Sequence, residues 1–304
     1  MSEVKKFPFT SILGWSATRY EIFSICKRRY FYHYYGKYDS DNSPRELKRL
    51  KELVSIPLET GGIAHSVFET LLRRLRKTPE NIDVERFIEY AETMTSDRIE
   101  KAEFDEIVYG ELDEINIDDI FPKVKTCLEN FLDSERFDWL TGVAINTSDD
   151  WVIEPPGYGE SRLNDMKVYC KVDFLFPVDG VLHIIDWKTG KVVHEKHRKQ
   201  LLGYATWAAY HFDVDPDLVR PTIAYLYPDY VEVDESFSAD DLGNYAVQVE
   251  AETGEMYEYC RDVQGNVPLD KGEFPLVDHE KICVYCNFRG ICFPDQYQFK
   301  FEGT

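Results

Sequence analysis

Residues 168–191, VYCKVDFLFPVDGVLHIIDWKTGK, hold two apolar runs joined by Asp179-Gly180, the pair that two-residue hairpin loops favour. The pattern predicts antiparallel strands over 167–186. With a two-residue loop, Val178 pairs with Val181, and counting back places Asp173 opposite Asp186. Side chains opposed in this way sit about 5 Å apart at Cβ, where like charges are destabilising. Two carboxylates there need a cation between them, or one must keep a proton. Lys188 lies two residues past Asp186 and so shares its face, while Val172, Phe174, Ile185 and Trp187 fill the other. An Asp paired with Asp-x-Lys suits a hard divalent cation such as Mg2+, which polarises a phosphoryl oxygen and acidifies a water. The lysine places positive charge where negative charge develops. The plainer reading is an exposed hairpin with two acids on its solvent face.

The chain has 304 residues, 43% hydrophobic and 14% aromatic, enough for a substantial core. No apolar run of about 18 residues predicts a membrane span, and the N-terminal stretch lacks the apolar core of a secretory signal, so the expected location is cytoplasmic. The net charge of −21 argues against a generic nucleic-acid binder. The charge is uneven, however. Acid is dense over 100–119 and 229–255, and base over 27–29, 73–77 and 188–199. The basic segments carry or adjoin the motifs, so either a local basic groove or ordinary solvated faces fit them.

Along the chain, the pattern predicts a helix over Ser16–Tyr35, with Ser16 or Thr18 as N-cap. A polar connector with a short basic helix at Glu46–Leu53 follows. A strong amphipathic helix runs over Gly61–Lys77, where Ile63, Val67, Leu71 and Leu75 recur every four residues. Residues 78–140 read as mainly helical and acidic. Strands are expected at 151–153 and 222–227, and helices at 195–210 and 242–262. The simplest organisation is one α/β domain over 1–304, with a helical insert at about 78–145.

Three further groups stand out. His65 lies at the border of the apolar face of its helix, one turn before Glu69. It reads either as an ordinary helix histidine or as a metal ligand. Gln200 and Tyr204 share a face at i and i+4, beside the basic segment, where they make either a polar helix edge or contacts to nucleic acid. Seven cysteines in a chain this long do not suggest a disulfide scaffold. Cys283-x2-Cys286-x5-Cys292 places three thiols within ten residues, and Cys26 stands far away near the other end. Four thiolates make a zinc or an iron–sulfur site, here a clasp between segments 16–35 and 281–295. Cys127, Cys170 and Cys260 read as packing residues.

Taken together, these residues resemble the RecB-like branch of the PD-(D/E)xK nuclease superfamily. The order is that of the family: His65 on a helix, Asp173 on a strand, Asp186-Trp187-Lys188, then Gln200-x3-Tyr204 on a helix. The opening SATRYEIFSICKRRYFYHYYGK and the cysteine pattern resemble the iron–sulfur members of that branch, the AddB-type nuclease domains and the CRISPR-associated RecB-type exonucleases. The resemblance implies a restriction-endonuclease-like mixed central sheet flanked by helices. It implies that His65, Asp173, Asp186 and the Trp187 carbonyl bind Mg2+ or Mn2+, and that Lys188 assists the hydrolytic water. It further implies that Gln200 and Tyr204 line the active site and help hold DNA. Cys26, Cys283, Cys286 and Cys292 would hold a [4Fe–4S] cluster, with zinc as the alternative on spacing alone. Glu154 is a further acid expected near the metal.

The expected activity is a metal-dependent deoxyribonuclease, an exonuclease on single strands or DNA ends in repair, recombination or CRISPR-type processing. No P-loop is present, so it would act alone or beside a separate helicase or integrase. The other readings are a non-catalytic DNA-binding adaptor that keeps the fold, and a redox sensor centred on the cysteines.

Overall fold

The computed structural model describes residue 5 and residues 7–78, 82–154, 160–277 and 280–300. Its centre is a five-stranded mixed sheet. The strands and helices are numbered in chain order. The N-terminal helices are α1 (Ala17–Ile25), α2 (Lys27–Tyr35), α3 (Pro44–Glu52) and α4 (Ile56–Lys77). Next come α5 (Val84–Lys101), α6 (Asp105–Val108), α7 (Phe121–Leu132) and α8 (Glu135–Gly142). The strands β1 (Val152–Ile153), β2 (Glu160–Leu163), β3 (Met166–Tyr169), β4 (Phe174–Val178) and β5 (Val181–Lys188) follow. After them come α9 (His194–Phe212), β6 (Val219–Tyr225), β7 (Val231–Asp234) and α10 (Ala239–Tyr257). The chain closes with β8 (Cys260–Asp262), β9 (Val267–Pro268), α11 (Glu280–Cys283) and α12 (Arg289–Cys292).

The sheet order is β1-β4-β5-β6-β7, with β5 and β6 parallel and the other pairs antiparallel. The central hairpin forms as expected: Val178 pairs with Val181 and Phe174 with Ile185. Asp179 and Gly180 both have positive φ, 50° and 81°, the backbone of a type I′ turn, which needs residues tolerant of that region.

Neither face of the hairpin is open to solvent. Phe174, Phe176, Ile185 and Trp187 pack under α4 and α7, in one core with Phe68, Leu71 and Phe131. Leu175, Leu182 and Ile184 pack under α9, with Leu201, Tyr204 and Ile223. Val172, expected beside Phe174, belongs instead to the α9 side, because the chain bends before β4 begins. The α9 crossover between parallel β5 and β6 explains the double coverage.

Several boundaries depart from the sequence pattern for identifiable reasons. The first helix is broken at Cys26, whose extended backbone (φ −154°, ψ 112°) ends α1, while its Sγ accepts from Arg29 N to start α2. α4 begins at Ile56 because Pro57 occupies its first turn, where a missing N–H costs nothing. The first hairpin strand does not start at 167. Residues 166–169 pair with 160–163 across Asn164-Asp165, both at positive φ, a second hairpin that ESRLNDMK conceals for want of apolar alternation. The last long helix ends at Tyr257, and Cys260–Asp262 is a strand rather than helix. β7, with its exposed, charged alternation, was not evident in the sequence. Among the described residues no helix is long and apolar enough to cross a membrane.

The helices between α4 and the sheet belong to the central core. Phe131 of α7 contacts Phe68 at 5.1 Å and Trp187 at 4.9 Å between ring centroids. Truncating a buried phenylalanine costs about 3–5 kcal/mol. Phe131→Ala should therefore lower the free energy of unfolding read from urea titrations by that amount, whereas truncating exposed Tyr90 should leave it nearly unchanged.

Candidate active site

The end of β5, the start of β4, and helices α4 and α9 meet at one point. Asp173 and Asp186 are both buried there, at 8% and 1% exposure, which removes the reading of an exposed hairpin. The β4–β5 register ends at Phe174↔Ile185, one residue short of the two acids, and the Asp173 charge acts on Asp186. Asp173 Oδ2 accepts from the Trp187 backbone N–H at 3.0 Å. Its Oδ1 lies 3.3 Å from His65 Nδ1, and the Trp187 carbonyl oxygen lies 3.1 Å from His65 Nε2. α4 delivers His65 to this place because Ile63, Val67 and Leu71 bury the adjoining stripe of the helix. Gly61, one turn earlier, is where α4 approaches the chain after Lys188: a Cβ there would lie 3.5 Å from Thr189 Oγ1.

Asp186 has its own partners. Gln200 Nε2 and Tyr204 OH each donate to its Oδ1 at 3.0 Å, and Gln200 Nε2 also reaches Tyr204 OH at 2.6 Å. Lys188 Nζ lies 2.5 Å from Asp186 Oδ2 as an ion pair. Lys188 is thus the charged partner of this buried oxygen. A buried carboxylate facing a second buried acid, with one ammonium between it and solvent, suits a further cation.

Glu154 completes the group from β1's end, at φ 43°. Its Oε1 lies 3.9 Å from His65 Nδ1, and its other oxygen pairs with Lys171. Among the described residues, His65, Glu154 and Asp173 are the three metal-ligating side chains whose ligand atoms all lie within 4.8 Å of one another. With Trp187 O beside them, these residues fit a divalent cation. Asp186 stands outside that trio, held by α9.

The electrostatics express the crowding. Burial opposes charge on His65, but Asp173, Glu154 and Asp186 outweigh it and push the imidazole up to about 10. Burial raises Asp173 too, yet His65, the Trp187 N–H and Lys188 bring its carboxyl below the usual range. Asp186 goes the other way: burial first, then the Asp173 charge, push it up to about 6 despite Lys188 and His65. A cation binding here would displace the histidine's proton.

The cysteines are arranged differently. Cys26, Cys283, Cys286 and Cys292 line one small cavity with Arg29 and Phe288, so both chain ends meet there. No three of their sulfurs come within the 4.8 Å spacing that gathers His65, Glu154 and Asp173. A single tetrahedral zinc, with Zn–S about 2.3 Å, needs four sulfurs gathered about 3.8 Å apart, and no three of these are so gathered. Burial raises the Cys286 thiol, and burial with the neighbouring cysteines raises Cys292 to about 12.

Much of the basic sequence is committed elsewhere. Lys196, Arg198 and Lys199 meet Glu21, Glu235 and Glu252. Arg28 donates to the carbonyls of Phe274 and Lys271, and Arg73 pairs with Glu69 and Ile153 O.

Residues 14–293 match the model of the PD-(D/E)XK nuclease superfamily. The chain belongs to that superfamily, whose members are nucleases and hence hydrolases that use divalent metals. The mixed sheet flanked by helices is consistent with its restriction-endonuclease-like fold. No curated protein matches the chain. Eight solved chains do. One, SSO0001, is similar at 16% identity over 61% of this chain and 76% of that one, with a TM-score of 0.30, too loose a likeness to bear on function.

Between about pH 3.8 and 6 the folded protein keeps a proton on Asp186 that the unfolded chain has lost. The ionised Asp186 therefore costs stability that grows as pH rises through that window. Asp186→Asn should raise the Tm of the metal-free protein by a few degrees at pH 7, with the gain shrinking towards pH 4. The amide oxygen can still accept from Gln200 and Tyr204, and Lys188 is partly exposed and can swing to solvent. Thermal melts in EDTA read this effect. Mg2+ should then stabilise the wild type more than the variant.

Proposed function

We propose that this chain is a RecB-like, metal-dependent deoxyribonuclease that acts as an exonuclease on single strands or DNA ends. The observation that carries the reading is the pair of buried, opposed carboxylates, Asp173 and Asp186, with Lys188 against the second. A protein that only binds DNA has no use for that repulsion. When bound, the divalent cation would polarise a phosphoryl oxygen and acidify a water. His65, Asp173, Asp186 and the Trp187 carbonyl would hold it, with Glu154 as a further ligand. Lys188 orients the attacking water and offsets the negative charge that develops on the phosphorane. Gln200 and Tyr204 fix the Asp186 carboxylate in one orientation and line the path of the strand.

We read residues 1–304 as one nuclease domain, with residues 78–145 as a helical insert and segments 16–35 and 281–295 as the clasp. The shared cavity supports a [4Fe–4S] cluster held by Cys26, Cys283, Cys286 and Cys292. Four thiols around one cavity, with no three sulfurs as closely gathered as the His65, Glu154 and Asp173 ligand atoms, favour the larger group over one zinc ion. The absence of a P-loop and the acidic surface favour a partner, a helicase or integrase, that supplies basic surface and presents the strand.

Cleavage of end-labelled single- and double-stranded DNA with Mg2+ or Mn2+ tests the activity. Lys188→Ala should lower the rate by about 10²–10³-fold, in the range of losing one transition-state charge contact, in protein that still melts cooperatively above the assay temperature. Binding without cleavage by the wild type would instead mark a non-catalytic adaptor. For the clasp, anaerobically purified protein should contain iron and sulfide and absorb visible light, and Cys286→Ala should lose both. One equivalent of zinc without iron would sink the cluster assignment.

A further inference from the structure

Beside Lys188 stands a pair that the motifs leave out. Tyr225 of β6 is the register partner of Lys188 across the parallel β5–β6 pair, so the two side chains emerge together on the α9 face. Tyr225 and His197 are buried, at 3% and 8% exposure, and the Tyr225 hydroxyl lies 2.6 Å from His197 Nδ1. On α9, His197, Gln200 and Tyr204 fall at i, i+3 and i+7 and therefore line one stripe. Gln200 and Tyr204 serve Asp186. His197 extends the same stripe by one turn, about 4.5 Å along the axis at 1.5 Å per residue.

The chemistry fixes how the proton is placed. Burial, then the Asp186 charge, raise the Tyr225 phenol, so it keeps its proton and must donate it. The acceptor at hydrogen-bond distance is His197 Nδ1. Burial, then Lys188, Lys196 and His194, push the imidazole below its ordinary value. It stays neutral, with its remaining proton on Nε2. A neutral N–H next to Lys188, aimed away from Tyr225, is a donor for an anionic oxygen.

We propose that His197, its tautomer set by Tyr225, binds the backbone phosphate next to the scissile one through Nε2–H. The assignment rests on the nuclease reading above, and it adds a substrate contact that neither the sequence motif nor the metal site contains. A contact one turn from the reacting centre binds ground state and transition state alike, so its loss appears in KM rather than kcat. The donor is neutral and releases no counterion of its own, so its loss weakens binding at every salt concentration without changing the salt slope.

Initial rates of cleavage of a short single-stranded oligodeoxynucleotide with Mg2+, at several salt concentrations, separate these effects. His197→Ala should raise KM about tenfold, the scale of one hydrogen bond to a charged group, with kcat little changed. His197→Gln, whose Nε2 can stand where the imidazole Nε2 stood, should restore KM to within about threefold. His197→Asn, which can reach only Tyr225, should behave like the alanine variant. Tyr225→Phe frees the tautomer and should give an intermediate KM. Failure of glutamine to rescue, or equal losses of kcat and Tm in every His197 variant, would show a purely structural residue and overturn the proposal. An active wild type with His197→Ala unchanged in KM would overturn this inference alone. A wild type that neither binds nor cuts the strand would overturn the nuclease reading and this inference with it.

Discussion

The repulsion between Asp173 and Asp186 organises the surrounding structure. A two-residue turn fixes the hairpin register, and the hairpin brings the two acids together at its end with both sheet faces buried. Water cannot relieve the charge there, so the protein brings compensation from every neighbouring element. α4 supplies His65, β5 supplies Lys188 and the Trp187 N–H, and α9 supplies Gln200 and Tyr204. The result is asymmetric. Asp173 is held ionised while Asp186 is pushed towards neutrality even with Lys188 against its second oxygen. This is the pattern of a site that stores electrostatic strain for a cation to release.

The helices over the Trp187 face make this arrangement rigid. Phe68 stacks on Trp187 at 5.2 Å between centroids, with Phe131 across the ring edge. Because the Trp187 N–H and carbonyl are the groups that touch Asp173 and His65, packing of its side chain also positions its backbone at the site. On the opposite face, α9 spans the parallel strands and lays a polar stripe along the ends of β5 and β6.

The chain ends are tied independently of any cluster. Arg289, 1% exposed, donates to Asp105 at 2.8 Å and meets Glu111 at 3.2 Å. Its guanidinium lies over the Tyr109 ring, and Tyr109 OH donates to the Asn287 carbonyl. Asn287 in turn donates to the Leu50 and Leu53 carbonyls. A buried guanidinium is tolerable only when paired in this way. The segment bearing Cys283, Cys286 and Cys292 is thereby docked between α3 and α6, opposite Cys26. Arg136 with Glu232 and Lys271 with Asp39 are used similarly, as internal partners of an acidic body.

The sequence by itself determined the hairpin, its register and the chemistry of its acids. Asp179-Gly180 admits few other loops, and a strict period of two carries the count from the turn to Asp173 and Asp186. It also determined α4, because an apolar residue every fourth position specifies one buried stripe. Local pattern could not show that the second face of the hairpin is covered, that Asn164-Asp165 starts another hairpin, or that Cys26 breaks a helix. Nor could it show that Asp186 belongs to α9, or that Tyr225 meets His197. Those are contacts between elements far apart in the chain, set by how helices cross a twisted sheet. Periodicity reports which face of an element is buried, and only packing decides what lies against it.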